Sequence, residues 1–233
     1  PGACALFGLP GSGRAMVYAA LAKETGRFLC IVTPGEAEAT RFAGDLNALG
    51  IPTAVFPARD YVLRPIEGTA REYEYRRLSV LGDIVGGRLQ AVCVPDEGLT
   101  QYTTPRAEFC NNTRTLHPGD TVPRTELTAL LYNAGYARRA QVDGPGQFSI
   151  RGDIVDLYAP DMKLPVRMEF WGDEIDTMHT FDLATQRRED PIEKIYVSPA
   201  REVLFGSPAE AAELLRAFIK KFRGKKRTAL EAC

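Results

Sequence analysis

The hydrophobic pattern of this chain changes its period near residue 110, and this change limits the folds available to it. Before that point, short apolar runs alternate with helical stretches, which is typical of parallel β-α-β units. After it, apolar and polar residues alternate every second position in closely spaced runs, which is typical of antiparallel strands. We therefore predict an α/β protein whose open parallel-sheet domain carries an inserted antiparallel α+β domain.

Residues 1–110 are predicted to form the first part of the parallel-sheet domain. This domain is P-loop-like, because Gly8–Ala15 stand where a phosphate-binding loop would be. The strands are predicted at Ala3–Phe7, Phe28–Val32, Thr53–Phe56 and Leu89–Val94. The helices are predicted at Arg14–Lys23, Glu36–Leu49 and Thr69–Val85. Because strands and helices alternate, the sheet is expected to be parallel.

Residues 111–197 are predicted to form the inserted domain. Its helix is predicted at Arg124–Ala134, and residues with turn chemistry, such as Asp143–Gly146, connect the runs that follow. These runs are Ala137–Val142, Phe148–Tyr158, Val166–Trp171, Ile175–Phe181 and Ile192–Val197.

Residues 198–233 form a return segment with a predicted helix at Pro208–Phe222. The apolar residues of this helix fall on one face, namely Leu214, Leu215, Phe218, Ile219 and Phe222. Because an apolar stripe needs a packing partner, we expect the segment to pack on the first domain.

Composition excludes several classes of function. The formal net charge of -1 excludes a globally basic nucleic-acid binder, and no apolar stretch approaches the roughly 20 residues of a membrane span. The five cysteines are widely spaced without a C-x-x-C pair, and there are two histidines, so we expect no metal site. No export signal opens the sequence, which favours a cytoplasmic protein.

Residues Gly8–Ala15 stand where a phosphate-binding loop would join a strand to a helix. Gly8 and Gly13 are in register with the glycines of G-x-x-x-x-G-K-[ST], and Gly11 lies between them, but Arg14 replaces the lysine and Ala15 replaces the magnesium-binding hydroxyl. Arginine is not equivalent to lysine, and the metal would lose a ligand. We expect a non-functional loop, no nucleotide cofactor and no catalytic residues. A residual anion site at the helix N-terminus and an arginine-tolerant P-loop NTPase are the alternatives.

Residues Ala91–Glu97 imitate a Walker B strand followed by an acidic pair. Pro95 disfavours the usual geometry at the end of such a strand. We interpret Asp96 and Glu97 as first-turn acids of the next helix, where carboxylates complement the helix dipole.

Three motifs in the predicted insert are long enough to be specific: Leu130–Tyr136, Gly146–Pro160 and Val166–Asp176. Together they resemble the second domain shared by UvrB and the bacterial transcription-repair coupling factors. The degenerate loop and the segment from Phe56 to Arg77 resemble the first domain of the same proteins. The coupling factors are favoured over UvrB because UvrB requires an intact G-K-[ST] and carries a long aromatic-rich hairpin, where this chain offers only Tyr61 and a short polar loop.

The resemblance implies a non-catalytic adaptor that docks the excision-repair protein UvrA. It also implies that RNA polymerase and DNA are engaged only through other parts of a longer protein, without a small-molecule substrate. A DNA-binding module related to UvrB is an alternative, since the basic run Lys220–Arg227 is able to follow a phosphate backbone. Such a run is also a common solvated helix end.

The candidate partner-binding residues are Arg138, Arg139, Phe148 and Arg151. Alternation along a strand places Phe148 on one face and Arg151 on the other. If an antiparallel turn is centred on Gly144–Pro145, Arg138 lies directly across from Arg151, and a one-residue slip substitutes Arg139.

Like charges placed opposite each other repel, which is tolerable on an exposed surface and useful against an acidic partner. The resemblance identifies Arg151 with a motif arginine of the cluster where UvrA is expected to dock. Solvated arginines without any partner are the alternative.

Overall fold

The computed structural model describes residues 3–59, 71–204 and 208–223. Over these residues the chain is a mixed α/β protein with a three-stranded, a six-stranded and a two-stranded sheet. Tyr61 and residues 224–227 of the basic run lie outside the described residues. No helix among the described residues is long and apolar enough to cross a membrane.

The three-stranded sheet is parallel and has the order β1-β3-β2. Its strands and the helices around it are α1 Gly11–Thr25, β1 Leu29–Thr33, α2 Glu36–Ala48, β2 Thr53–Val55, α3 Glu72–Val85, β3 Ala91–Pro95, α4 Asp96–Leu99 and α5 Arg106–Asn111. All five residues of β3 are buried, as expected for the central strand of a parallel sheet. Apolar residues of α1 and α2 pack on one face of the sheet, and those of α3 pack on the other.

Two predictions for this region have clear outcomes. Asp96 and Glu97 lie in the first turn of α4, directly after β3, which confirms their structural interpretation. The strand predicted at Ala3–Phe7 is wrong, because these residues have no regular structure, and Leu6 and Phe7 are 61% and 89% exposed. An apolar run becomes a strand only when a neighbouring strand accepts its backbone hydrogen bonds.

The six-stranded sheet has the order β10-β9-β8-β7-β6-β5. The elements of this region are β4 Arg114–Leu116, α6 Arg124–Asn133, β5 Ala137–Arg138, β6 Gln147–Arg151, β7 Ile154–Tyr158, β8 Val166–Trp171, β9 Glu174–Phe181, β10 Arg188–Pro191 and β11 Ile195–Val197. Helix α6 packs on one face of the sheet through Leu127 and Leu131, which are both fully buried. The two-stranded sheet pairs β4 with β11 in antiparallel orientation.

The segment predicted as one strand at Phe148–Tyr158 is instead the hairpin β6–β7. Arg151 pairs across the turn with Ile154, and Gly152 has a positive φ of 60°. Glycine adopts this conformation without steric cost, so Gly152 marks a tight turn rather than a bulge within a strand.

Helix α7, Pro208–Ile219, follows the last sheet. Its apolar stripe is exposed: Leu214, Leu215 and Phe218 are 55%, 58% and 49% exposed. The expected packing of this helix on the first domain is therefore not seen for these side chains. Residues 198–204, which precede this helix, contact the earlier elements.

A buried ion pair joins residues 198–204 to α3. Arg77 and Glu202 are both fully buried, and Arg77 Nε donates to Glu202 Oε1 at 2.6 Å. Arg77 also donates to the Pro57 carbonyl at 2.8 Å and lies 4.1 Å above the centre of the Phe56 ring. Arg59 forms a second ion pair with Glu202. This network fixes the exit of the six-stranded region against the parallel-sheet region.

Candidate docking surface

The β5–β6 edge of the six-stranded sheet carries most of the predicted docking residues. Strand β5 runs parallel to β6, with Ala137 beside Gln147 and Arg138 beside Phe148. The predicted antiparallel pairing, with Arg138 across from Arg151, is therefore wrong. The loop 139–146 returns past the start of β5, so that the Ala137 N–H donates to the Gly146 carbonyl at 2.9 Å.

Phe148 belongs to the protein interior. Its side chain is 0% exposed, and its ring meets the Tyr132 ring edge-to-face at a centroid distance of 5.3 Å. The prediction that Phe148 contacts a partner is corrected accordingly, because the residue supports the surface from beneath.

An open groove of about 550 Å³ lies between α6 and the β5–β6 edge. Arg138, Tyr132 and Ile150 line it, and Tyr132 is 52% exposed. Arg124 closes one end, where its Nη1 donates to the Gly152 carbonyl at 2.8 Å and to Asp153 Oδ1 at 2.6 Å. The groove thus combines an exposed aromatic ring, an aliphatic side chain and a cation.

Arg151 lies on the opposite face of the same strand, as alternation predicted. Its Nη2 donates to Asp156 Oδ2 at 2.6 Å, and its side chain remains 44% exposed. The guanidinium is therefore anchored at one corner and open to solvent elsewhere.

Asp156 is shared with a second arginine on the neighbouring strand β8. Arg167 Nε donates to Asp156 Oδ1 at 2.7 Å, and Arg167 Nη2 donates to Asp156 Oδ2 at 3.0 Å. The hydrogen bond to Asp156 raises the pKa of Arg167 above its ordinary value. The Arg167 guanidinium also lies 4.6 Å above the Phe181 ring, which holds it inside the sheet face.

Arg138 and Arg139 are both exposed, and neither forms an ion pair with any residue in the described part of the chain. We call Arg138, Arg139, Arg151 and the groove beside them the basic edge. The structure brings the three arginines to one edge of the sheet. Arg138 lines the groove on one face of the sheet, and Arg151 lies on the opposite face.

The degenerate phosphate loop lies far along the sequence from the basic edge and has a different structure from the predicted one. Gly11 and Gly13 are already inside helix α1, while Gly8 has a positive φ of 75° in the preceding segment. Pro10 occupies the N-cap position. No strand precedes this helix among residues 3–10.

The substituted residues of this loop serve internal packing. Arg14 Nη2 lies 3.4 Å from Glu38 Oε1, and the Arg14 guanidinium lies 5.1 Å from the centre of the Phe42 ring. Ala15 is 1% exposed in the core beneath α1. The guanidinium is thus engaged with α2.

The sequence of this chain is similar to those of known proteins. A family model described as the UvrB interaction domain matches residues 115–203. The transcription-repair-coupling factor of Bacillus subtilis is 28% identical over 229 residues, which cover 95% of this chain and 20% of that protein. The counterpart from Mycobacterium bovis is 34% identical over 217 residues, covering 88% of this chain and 17% of that protein. The one from Staphylococcus aureus (strain MRSA252) is 27% identical over 199 residues, covering 84% and 17%.

The sheet with its basic edge is thus a UvrB interaction domain, which is a protein-interaction module. The chain belongs to the transcription-repair-coupling factor family and corresponds to the N-terminal UvrB-like module of those proteins. It spans about a fifth of the length of the relatives that it matches.

Two features of the candidate site were missed by the sequence prediction. Asp156 stands between Val155 and Leu157, and an acid inside an apolar run signals a buried, paired charge. The groove had no such signal, because Tyr132 and Ile150 come together only when α6 packs against β6.

Proposed function

We propose that this chain is a non-catalytic adaptor that recruits UvrA through the basic edge. The observation that carries the proposal is one sheet edge of a UvrB interaction domain with three exposed arginines. Arg138 lines a groove with an aromatic wall, Arg139 follows it in the chain, and Arg151 lies on the opposite face of the same edge. Arginine and tyrosine are enriched among the residues that dominate binding energy at interfaces. The partner surface is expected to be acidic, because Arg138 and Arg139 offer charges that no described carboxylate neutralises.

In a longer protein, this module would link excision repair to transcription. RNA polymerase and DNA would be engaged by the remaining parts, and the UvrB-like module would bring UvrA to the stalled complex. The similarity to transcription-repair-coupling factors over most of this chain supports that role. The module would act in the cytoplasm, where these partners work.

The test is a binding measurement between this chain and purified UvrA. Arg151→Glu reverses the charge of one arginine of the basic edge, and we expect it to weaken binding by about 2 kcal/mol or more, about 30-fold in Kd. Arg187→Glu is the matched control, since Arg187 is exposed next to β10 at the opposite edge of the sheet. Equal affinities of the two folded variants would reject the basic edge as the docking surface.

The non-catalytic part of the proposal has its own support. Arg14 is engaged by Glu38 and Phe42, and Ala15 offers no hydroxyl to a metal ion. Titration with labelled ATP, with and without magnesium, tests this part. Saturable, magnesium-dependent binding would favour the NTPase alternative instead.

A further inference from the structure

Asp156 is a buried carboxylate on the polar face of the six-stranded sheet. It is 0% exposed, and its neighbours Val155 and Leu157 point into the core on the other face. A buried carboxylate is tolerated only when hydrogen bonds and opposite charges compensate the loss of water. The groups that compensate the buried Asp156 carboxylate are therefore candidates for a functional role.

The two arginines that satisfy Asp156 differ in their exposure. Arg167 binds both carboxylate oxygens, and its side chain is 14% exposed. Arg151 binds only Oδ2, and its side chain is 44% exposed. Arg167 is thus the inner partner and holds the carboxylate in place. Arg151 is the outer partner, and the carboxylate holds its guanidinium.

This geometry leaves Arg151 ready to bind. A guanidinium has five N–H donors, and Asp156 uses one of those of Arg151, so the remaining donors are available to an acidic group. A free surface arginine loses rotamer freedom when a partner immobilises it, which weakens binding. An arginine already anchored at one corner has lost part of that freedom in the unbound protein.

We propose that Asp156 is a positioning residue that holds the Arg151 guanidinium in the orientation required by an acidic partner. The proposal rests on the proposed function, since it concerns the same docking surface. Asp156 does not contact the partner; it acts through Arg151. Removing its charge leaves two guanidinium groups beside each other without a shared counter-ion, and Arg151, the more exposed of the two, turns into solvent.

The first experiment needs no partner. Nitrogen-15 NMR of the Arg151 guanidinium, assigned with Arg151→Lys, should show slow rotation and separate Nη signals in the wild-type chain. In Asp156→Asn the signals should average, as for the exposed Arg187. Averaged signals already in the wild-type protein would overturn the proposal, even if Asp156→Asn does not fold.

The second experiment is a double-mutant cycle of UvrA binding. Asp156→Asn should weaken binding by roughly 2- to 12-fold, the range expected for releasing one rotamer-rich side chain. In an Arg151→Ala background the same change should have no further effect. Asp176→Asn is the matched control, because it also removes one negative charge, but from an exposed position on β9.

The outcomes separate the two proposals. Equal losses from Asp156→Asn with and without Arg151 would mean that Asp156 acts through general stability, which overturns the positioning role. Unchanged UvrA binding in Arg151→Ala would instead reject the docking surface, and the NMR comparison would still decide whether Asp156 orients Arg151.

Discussion

The buried pair of Arg77 and Glu202 offers the sharpest test of how the two regions of this protein are joined. Glu202→Gln keeps the shape of the side chain but removes its charge. The Arg77 cation then stays fully buried, with the Pro57 carbonyl, Gln101 Oε1 and the Tyr102 carbonyl as its remaining acceptors. Breaking a buried pair by neutralising one partner typically costs about 3–5 kcal/mol. Because these acceptors and the Phe56 ring remain, we expect a cost near the lower limit, about 3 kcal/mol.

The measurement is urea unfolding followed by far-UV circular dichroism. Glu189→Gln makes the same chemical change at an exposed position on β10 and should alter the free energy of unfolding by less than about 0.5 kcal/mol. The double variant Arg77→Met/Glu202→Met should cost about 2 kcal/mol less than the sum of its single variants, because no unpaired charge is left behind. Additive costs, or a loss below about 1 kcal/mol in Glu202→Gln, would refute the view that this pair joins the two regions.

Three further predictions follow from the six-stranded region. Phe148→Ala should lower the free energy of unfolding by about 3–5 kcal/mol in the same urea assay, because the ring is fully buried. Gly146→Ala should also destabilise the protein, since φ is +73° and the new Cβ would lie 2.6 Å from Tyr75 Oη, whereas the open Gly144 tolerates alanine. Burial raises the pKa of Asp161 above its ordinary 3.8, so the folded state binds this proton more tightly than the unfolded state does. The contribution of this group to the free energy of unfolding is therefore greatest below pH 3.8 and falls as pH rises through the folded pKa. Asp161→Asn should abolish this contribution to the pH dependence of the free energy of unfolding, measured by unfolding titrations across this pH range.

The sequence predicted elements best where a local pattern decides them. Val166–Trp171 was placed correctly to the residue, because alternation over six positions specifies a half-buried strand. The predicted antiparallel pairing of β5 was wrong, because the sequence Ala137–Val142 does not indicate how the strand will pair with its neighbour. Local pattern also could not show that β6 and β7 are two strands, because Gly152 is able to serve either as a bulge or as a turn.

The candidate site, too, could be predicted only as far as local sequence patterns determine it. Arg151 was identified from its motif, and the structure places it on a surface, but its anchor Asp156 is five residues away along the chain. Two strands must pair before these side chains meet. Phe148 was predicted to bind the partner together with Arg151, although the alternation of side chains already placed the two residues on opposite faces.

The environments of the arginines indicate which parts of the chain serve structure and which remain available to a partner. Arg77 is fully buried against Glu202, and the Arg14 guanidinium lies 3.4 Å from Glu38 Oε1 and 5.1 Å from the centre of the Phe42 ring. Arg138 and Arg139 have no such counter-ion among the described residues. Two adjacent cations without a counter-ion do not stabilise the sheet edge, since like charges repel. In the proposed docking, an acidic partner supplies the charge that these two arginines lack.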